Sequence, residues 1–398
     1  MNTFKISLLL VCIFISGCKQ ETSTIELPSH LEDLDNLRVF QSGAKPSAGI
    51  NIIREQEFGD TDDVMISYPG SVEVDDSGRV YISDLPQGRA AIYVFHPDGS
   101  HLTTIGGYGE GPGEFRSISS TAIRQNQFIV YDGPLSRISY FSVGDSESGD
   151  SDPYSMSHMI IMNPDSWKSI EGLEDAFLFS RHFFVSGKGS VLTSFKSITA
   201  EDDHLRFYYI DSEGEVEPDQ VLKLEQEEQR VTFSSGEMTG GLILPTSREG
   251  VLAMSGDDSI YSASTENFLI KIHSPDGQYQ RAFYHPYEKT SLIKSELVRS
   301  YEGHPGRNAV RDADLPETWP ALNSMLIDDE NRLWISTIVD DDEIYEWWVL
   351  ENSGELISKF NWPRDEAIEE IKNGYLYTRE TEEETGLQQI VRYRIEFK

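Results

Sequence analysis

The sequence predicts an all-β protein, a ring of six four-stranded antiparallel sheets, on three observations. Short alternating apolar runs are joined by tight polar turns, that unit recurs six times, and strand-like segments stand at both ends of the folded region, where they can share one sheet. A four-stranded sheet with two apolar faces cannot bury both alone, whereas sheets set around a common axis shield one another. The unit is clearest from Ser71 to Asp84: Val72 and Val74 alternate with charged neighbours, Asp76-Ser77-Gly78 turns the chain, and Val80 and Ile82 resume. Similar units run from Ser119 to Asp132, His182 to Phe195, Leu242 to Ser255, Ser324 to Ser336 and Ala367 to Thr378. The last is the weakest, because Ile368-Glu369-Glu370-Ile371 also fits one turn of helix.

A second hairpin follows most of these, with an acidic or polar turn ending in glycine: Pro97-Asp98-Gly99, Ser212-Glu213-Gly214, Pro275-Asp276-Gly277 and Asn352-Ser353-Gly354. With Tyr81, Val130, Leu192, Leu252, Trp334 and Leu376 as equivalent second-strand positions, the spacings are 49, 62, 60, 82 and 42 residues. A period near 40 to 50, stretched by insertions, is that of a β-propeller. Closure is expected from residues 374–379 and 391–397 pairing with residues 49–58, which removes a free edge. A pair of β-sandwiches is the competing architecture. The 82-residue gap carries a helix capped by Thr290, with Leu292, Ile293, Leu297, Val298 and Tyr301 on one stripe and Gly303 and Pro305 at its end. This insertion, near residues 288–320, reads as a lid over blade surface in preference to the wall of a ligand pocket.

The first residues carry an address. Met1 to Lys5 is cationic, Ile6 to Ile15 is apolar but too short to span a bilayer, and Ser16-Gly17 precede Cys18, which is a signal-peptide pattern. Cleavage before Cys18 leaves 381 of the 398 residues, and the remaining cysteine, Cys12, departs with the leader. The mature chain therefore has no disulfide and must be held by its core. Residues 1–17 are read as a signal peptide, 18–37 as a tether and 38–398 as the propeller.

Composition excludes one class. Asp and Glu number 68 against 33 Lys and Arg, a net charge of −35 with a pI near 4.5, so a nucleic-acid binder working by phosphate neutralisation is ruled out. The acidity fits either a saline habitat or repulsion that prevents aggregation near a membrane.

These residues carry resemblances. The Ser16-Gly17-Cys18 junction resembles the lipobox of bacterial lipoproteins, which implies a palmitate-bearing lipid on Cys18; Lys19 and Gln20 in place of Asp imply outer-membrane sorting. The segments VDDSGRVYISD, IYVFHPDG and IGGYGEGPGEF between Val72 and Phe115 resemble an NHL-type repeat. From about Leu37 onward the chain resembles the six-bladed propeller lipoproteins common in Bacteroidota, most closely in Gly106 to Phe115, LIDDENRLWIST and NGYLYTRE. The resemblance implies fold and setting, and brings no substrate and no catalytic residue.

Candidate chemistry is sparse. The Gly106 to Gly113 loop lacks both G-x-G-x-x-G and a G-K-[ST] ending, so it reads as the link that carries the chain to the next sheet. Asp84 and Asp132 each end a second strand on the same rim, where converging carboxylates suit a hard cation such as Ca2+; the other reading is that they cap strand ends. No zinc spacing occurs among the nine histidines and no G-x-S-x-G exists. His285 and His304 flank the inserted helix and, with Trp319, are the candidates for ligand binding. An aromatic and acidic rim near Asp340-Asp341-Asp342-Glu343 suits a sugar or a cationic peptide. The expected function is a lipid-anchored, monomeric binding or scaffold module with a protein, small-molecule or glycan partner, and no cofactor is implied beyond that calcium. The alternative is a metal-assisted hydrolase or lyase at the central channel. Palmitate labelling in a lipoprotein-processing bacterial host checks the address: Cys18→Ala should abolish incorporation and release the protein from the membrane fraction.

Overall fold

The computed structural model describes residues 31 and 33–398, apart from 60, 62–63, 67, 85–89, 144–153, 198–202, 237, 383–384 and the side chain of residue 238. The expected signal peptide, Cys18 and most of the expected tether lie outside the described residues. The folded unit runs from Asp35 to Lys398.

The chain begins with two strands, β1 (Leu37–Val39) and β2 (Ile50–Phe58), that belong to sheets completed much later. Blade 1 is β3 (Pro69–Val74), β4 (Val80–Asp84), β5 (Ala91–Phe95) and β6 (His101–Ile105). Blade 2 is β7 (Ser120–Arg124), β8 (Gln127–Asp132), β9 (Arg137–Ser142) and β10 (Met156–Ile161). Blade 3 is β11 (Ala176–Val185), β12 (Val191–Ser197), β13 (His204–Ile210) and β14 (Leu222–Glu225). A separate hairpin, β15 (Arg230–Ser235) with β16 (Met238–Ile243), precedes blade 4, which is β17 (Gly250–Met254), β18 (Ile260–Ser264), β19 (Leu269–His273) and β20 (Tyr279–Tyr284). Helices α1 (Lys294–Ser300) and α2 (Arg307–Asp312) come next. Blade 5 is β21 (Leu322–Ile327), β22 (Leu333–Ile338), β23 (Ile344–Leu350) and β24 (Leu356–Pro363). Blade 6 is β25 (Ala367–Lys372), β26 (Tyr375–Thr381) and β27 (Gln388–Phe397), with β2 as its fourth strand.

The architecture is the expected six-bladed propeller, and it closes as expected. β2 runs antiparallel to β27 from Ile50 opposite Phe397 to Phe58 opposite Ile390, so the two ends of the folded region share a sheet. The segment 368–371 is strand, with Asn373 and Gly374 both at positive φ (57° and 76°), the geometry of a two-residue hairpin turn that follows the twist of its strands.

Two repeated devices fix the blades. In blade 1 one Asp75 oxygen accepts from the amides of Ser77 and Arg79, while the other accepts from Arg79 Nε at 2.6 Å and from the Tyr81 hydroxyl. Asp328 does the same in blade 5, with Glu330, Arg332 and Trp334 Nε1 as donors. One carboxylate thus holds the turn, neutralises a buried cation and ties down the aromatic that enters the core. The second device is the glycine of the outer turn in blades 1, 3, 4 and 5. Gly277 has φ +82°, and a Cβ there would lie 1.9 Å from the Val221 carbonyl of blade 3. Gly99, Gly214 and Gly354 press in the same way on blades 6, 2 and 4. The acidic turns ending in glycine are therefore seams between blades.

Three expectations are corrected. The fourth unit, Leu242 to Ser255, straddles two elements: Leu242 belongs to β16, and Leu252 lies on the first strand of blade 4 instead of the second. The true turn is Ser255 to Ser259, where Ser255 N–H donates to Ser259 O and Asp258 takes φ 64°. The apolar run Leu242-Ile243-Leu244 imitates a blade strand because Leu242 and Leu244 pack, with Val231, against the helical insertion. The helix is shorter than predicted and has no side-chain cap; Ile293 takes the N-cap position, while Thr290 Oγ1 donates to Ile338 O. Finally, β1 adds a fifth strand to blade 4, parallel to β20, with Leu37 opposite Ala282. A three-residue strand leaves no periodic signal.

Gly277→Ala should lose about 2 kcal/mol or more, from left-handed backbone strain and the clash with Val221. Gly189→Ala, with φ +88° and open space around its would-be Cβ, should cost about 1 kcal/mol. Urea denaturation of both variants measures the difference.

Candidate functional site

The six innermost strands β3, β7, β11, β17, β21 and β25 surround an axial channel of about 580 Å³. Strand directions alternate within each blade, so the turn after every inner strand lies at one end of the channel and the connections between blades lie at the other. The turn end is bridged. Arg124 of blade 2 reaches past blade 3 to Asp258 of blade 4 at 2.7 Å and to Gly256 O, and Asp258 also accepts from Gly187 N–H. Gly256 N–H donates to Asn331 in blade 5, and Asn373 of blade 6 donates to Asp329 and to Asp75 O.

Within the channel the polar side chains converge from separate blades. Glu73 on β3 accepts from Thr121 Oγ1 on β7 at 2.9 Å and lies close enough to Glu370 on β25 for their charges to interact. Both are packed about by protein yet keep part of their surface on the channel. Desolvation pushes Glu73 up to about 7, against the hydrogen bonds from Thr121 and Ile123. Desolvation followed by the charge of Glu73 pushes Glu370 well above the carboxylate range. The two carboxylates titrate as an interacting pair, both raised above the ordinary carboxylate range. His182, also on the wall, is a structural residue: its Nδ1 lies 3.2 Å from Ser194 Oγ, and burial drives its pKa down to about 3.

A second cavity of about 570 Å³ opens between α1 and blade 5, and Asn323 lines both it and the channel. Its walls include Trp319, Tyr345, Glu296, Asp340 and Asp342. Arg364, its cation, lies 4.7 Å over the Tyr345 ring and donates to Ile344 O and Asp341 O. The helical insertion, read from sequence mainly as a lid, thus walls a pocket.

The structure separates the remaining candidates. Asp84 Oδ1 accepts from Tyr68 N–H at 3.0 Å, and Asp132 Oδ2 from Arg116 N–H at 2.7 Å. Each carboxylate holds the connection entering its own blade, and neither lines the channel. Among the described residues no three His, Cys, Asp or Glu side chains gather as a metal site. His285 is buried, stacks on Phe40 at 4.3 Å, approaches Gly354 O at 2.8 Å through Nε2, and is pushed down to about 4 by burial. His304 is exposed and accepts from Gly306 N–H through Nδ1. Trp319 alone of this group faces a cavity. Sequence reasoning did not single out Glu73 or Glu370, because a carboxylate alternating with apolar residues looks solvent-facing in any strand.

The fold and its axial cavity define a six-bladed β-propeller. Residues 59–164 match the model of a family described as a 6-bladed beta-propeller (DUF5128). Two solved structures are similar along nearly their whole length. A Bacteroides fragilis protein described as exported has 13% identity and a TM-score of 0.51, covering 90% of this chain and 99% of its own. A DUF4221 family member from Bacteroides vulgatus has 10% identity and a TM-score of 0.53, covering 88% and 98%. No curated protein matches the chain.

The raised carboxylates set a pH dependence. Between the ordinary carboxylate range and about pH 7 the folded protein keeps a proton on Glu73 that the unfolded chain has lost, so stability falls as pH rises through that window. Burial of His182 and His285 acts in the opposite direction and is common to wild type and variant, so the Glu73 contribution is read as a difference between them. Thermal melts of Glu73→Gln should show a midpoint raised relative to wild type at pH 8 by more than at pH 5.

Proposed function

We propose that this protein is an exported, lipid-anchored binding module that receives a partner on the face carrying the connections between blades. The observation that carries the reading is where apolar surface is exposed. Among the described residues seven large hydrophobic side chains are substantially exposed, and all seven belong to that face. Met65 and Tyr68 lie between blades 6 and 1, and Tyr108 between blades 1 and 2. Ile161 ends blade 2 and is 70% exposed, while Phe177 begins blade 3. Ile243 and Ile293 sit on the inserted hairpin and at the start of α1. Exposed apolar side chains confined to one side mark an interaction surface. The opposite face presents acidic turns, which suit solvent. The cavity beside α1 lies on the apolar side, so a docked partner meets it directly.

The lipid on Cys18 and the outer-membrane address rest on the sequence motif. They agree with the exported description of the Bacteroides fragilis structure. The alternative, metal-assisted hydrolysis, has no gathered ligand set to support it among those residues.

Photo-crosslinking in the producing cell tests the reading. A benzoylphenylalanine at Tyr108 or Ile293 should give an adduct of defined mass, and the same probe at Ser77 or Glu213 on the opposite face should not. Adducts from both faces alike, or from neither, would reject it.

A further inference from the structure

We propose that the axial channel is a binding site for an alkylammonium group, held between Glu73 and Glu370 and entered past Asn323; this deepens the reading of the loop face as the side that receives ligand.

The charge accounting around the channel motivates it. Four cations stand on or beside its wall, and each is committed to a different carboxylate. Lys372 pairs with Asp76 at 2.8 Å, Arg379 with Glu369 at 2.9 Å, Arg124 with Asp258 at 2.7 Å and Arg181 with Glu249 at 2.5 Å. Glu73 has a hydroxyl and a backbone amide as donors but no ion pair, and Glu370 has neither a side-chain hydrogen bond nor an ion pair among the described residues. Two enclosed carboxylates thus face one cavity without a cation in contact: the charge of Lys372 reaches both and lowers their pKa values, but its ammonium is paired with Asp76. Burying a charge is costly unless it is paired and hydrogen-bonded. A retained proton relieves part of that cost; a bound cation would relieve more.

The donor geometry selects the kind of cation. A divalent metal takes six or more oxygen ligands, or must keep several waters, whereas an ammonium has three N–H donors. Glu73, Glu370 and the hydroxyl of Thr121 or the amide oxygen of Asn323 could accept all three. The channel volume accommodates an unbranched aliphatic stem, and Val251, Ala253, Met325 and Ile327 supply apolar wall for it. The bridged turn end and the cavity adjoining Asn323 indicate entry from the loop face. Binding would proceed by exchange: the ammonium enters and a proton held by the raised carboxylates leaves to solvent.

Isothermal titration of the purified protein at pH 7.0, in two buffers of different ionisation enthalpy, tests this with n-pentylamine and with acetyl-Ala-Lys-Ala-amide as probes. One-to-one binding with proton release is expected, weakened at least tenfold by Glu73→Gln and by Glu370→Gln and unchanged in Glu213→Gln on the opposite face. Near-UV circular dichroism confirms that each variant is folded. Binding of both probes assigns the site to free amines, and binding of the peptide alone assigns it to a partner's lysine; either supports the proposal. Absence of binding by both probes, unchanged affinity in folded Glu370→Gln, or stoichiometric calcium binding lost in that variant would overturn it. The outcome is separable from the docking reading, because the adducts at Tyr108 and Ile293 should persist in Glu370→Gln.

Discussion

The rest of the structure depends on the pairing of β2 with β27. Each blade buries its faces only because a neighbour stands on either side, and without that pairing β27 would be an open edge and the first and last blades would lack a common anchor. The pairing joins residues more than three hundred positions apart, so the ring is sealed by one of the least local contacts in the chain. The glycine-tipped turns act in the same direction locally. Each rests on the blade before it, so the spacing between neighbouring sheets is set by backbone as well as by interdigitated side chains.

Against a net charge of −35, the interior use of cations is sparing and specific. Arg79 and Arg332 are each consumed by an aspartate four residues earlier, inside the turn that the aspartate organises. Arg124 is spent across the turn end of the channel. The same economy leaves the middle of the channel with two carboxylates and a hydroxyl. Desolvation raises both carboxylates, so a proton can be retained there.

Much of this architecture was legible in the sequence, because turns with a required backbone conformation leave a residue signature. Asn373-Gly374 is such a signature; the aspartate–arginine–aromatic spacing of blades 1 and 5 became apparent only from the hydrogen bonds. The reading failed where tertiary packing imitated the pattern. Leu242 to Leu244 resembles a blade strand but serves the inserted hairpin, and this displaced the fourth unit by one strand. The hairpin itself and β1 escaped notice, since one lies within an insertion and the other has three residues. The candidate site was legible only in its outer part. Trp319 was singled out with His285 and His304, and the acidic rim at Asp340-Asp341-Asp342-Glu343 separately; the cavity brings Trp319 together with Asp340 and Asp342. Glu73 and Glu370 become neighbours only once blades 1 and 6 are brought side by side. His285 illustrates the opposite error, a titratable residue flanking an insertion that proves to be core.

The segment from Asp35 to Ala48 has a mechanical consequence. It lies along the rim of blade 4, where β1 pairs with β20, Tyr279 donates to Asp35 O and Phe40 stacks on His285. It then crosses to blade 5, where Arg38 meets Glu355 at 2.7 Å and Ser47 and Ala48 donate to Leu356 O and Ile357 O, before reaching blade 6 as β2. Tension applied upstream would therefore be resisted first by these two rims, with the parallel strand loaded in shear. The seam that seals the ring would feel it last, as a knot is spared when the rope is belayed twice before it.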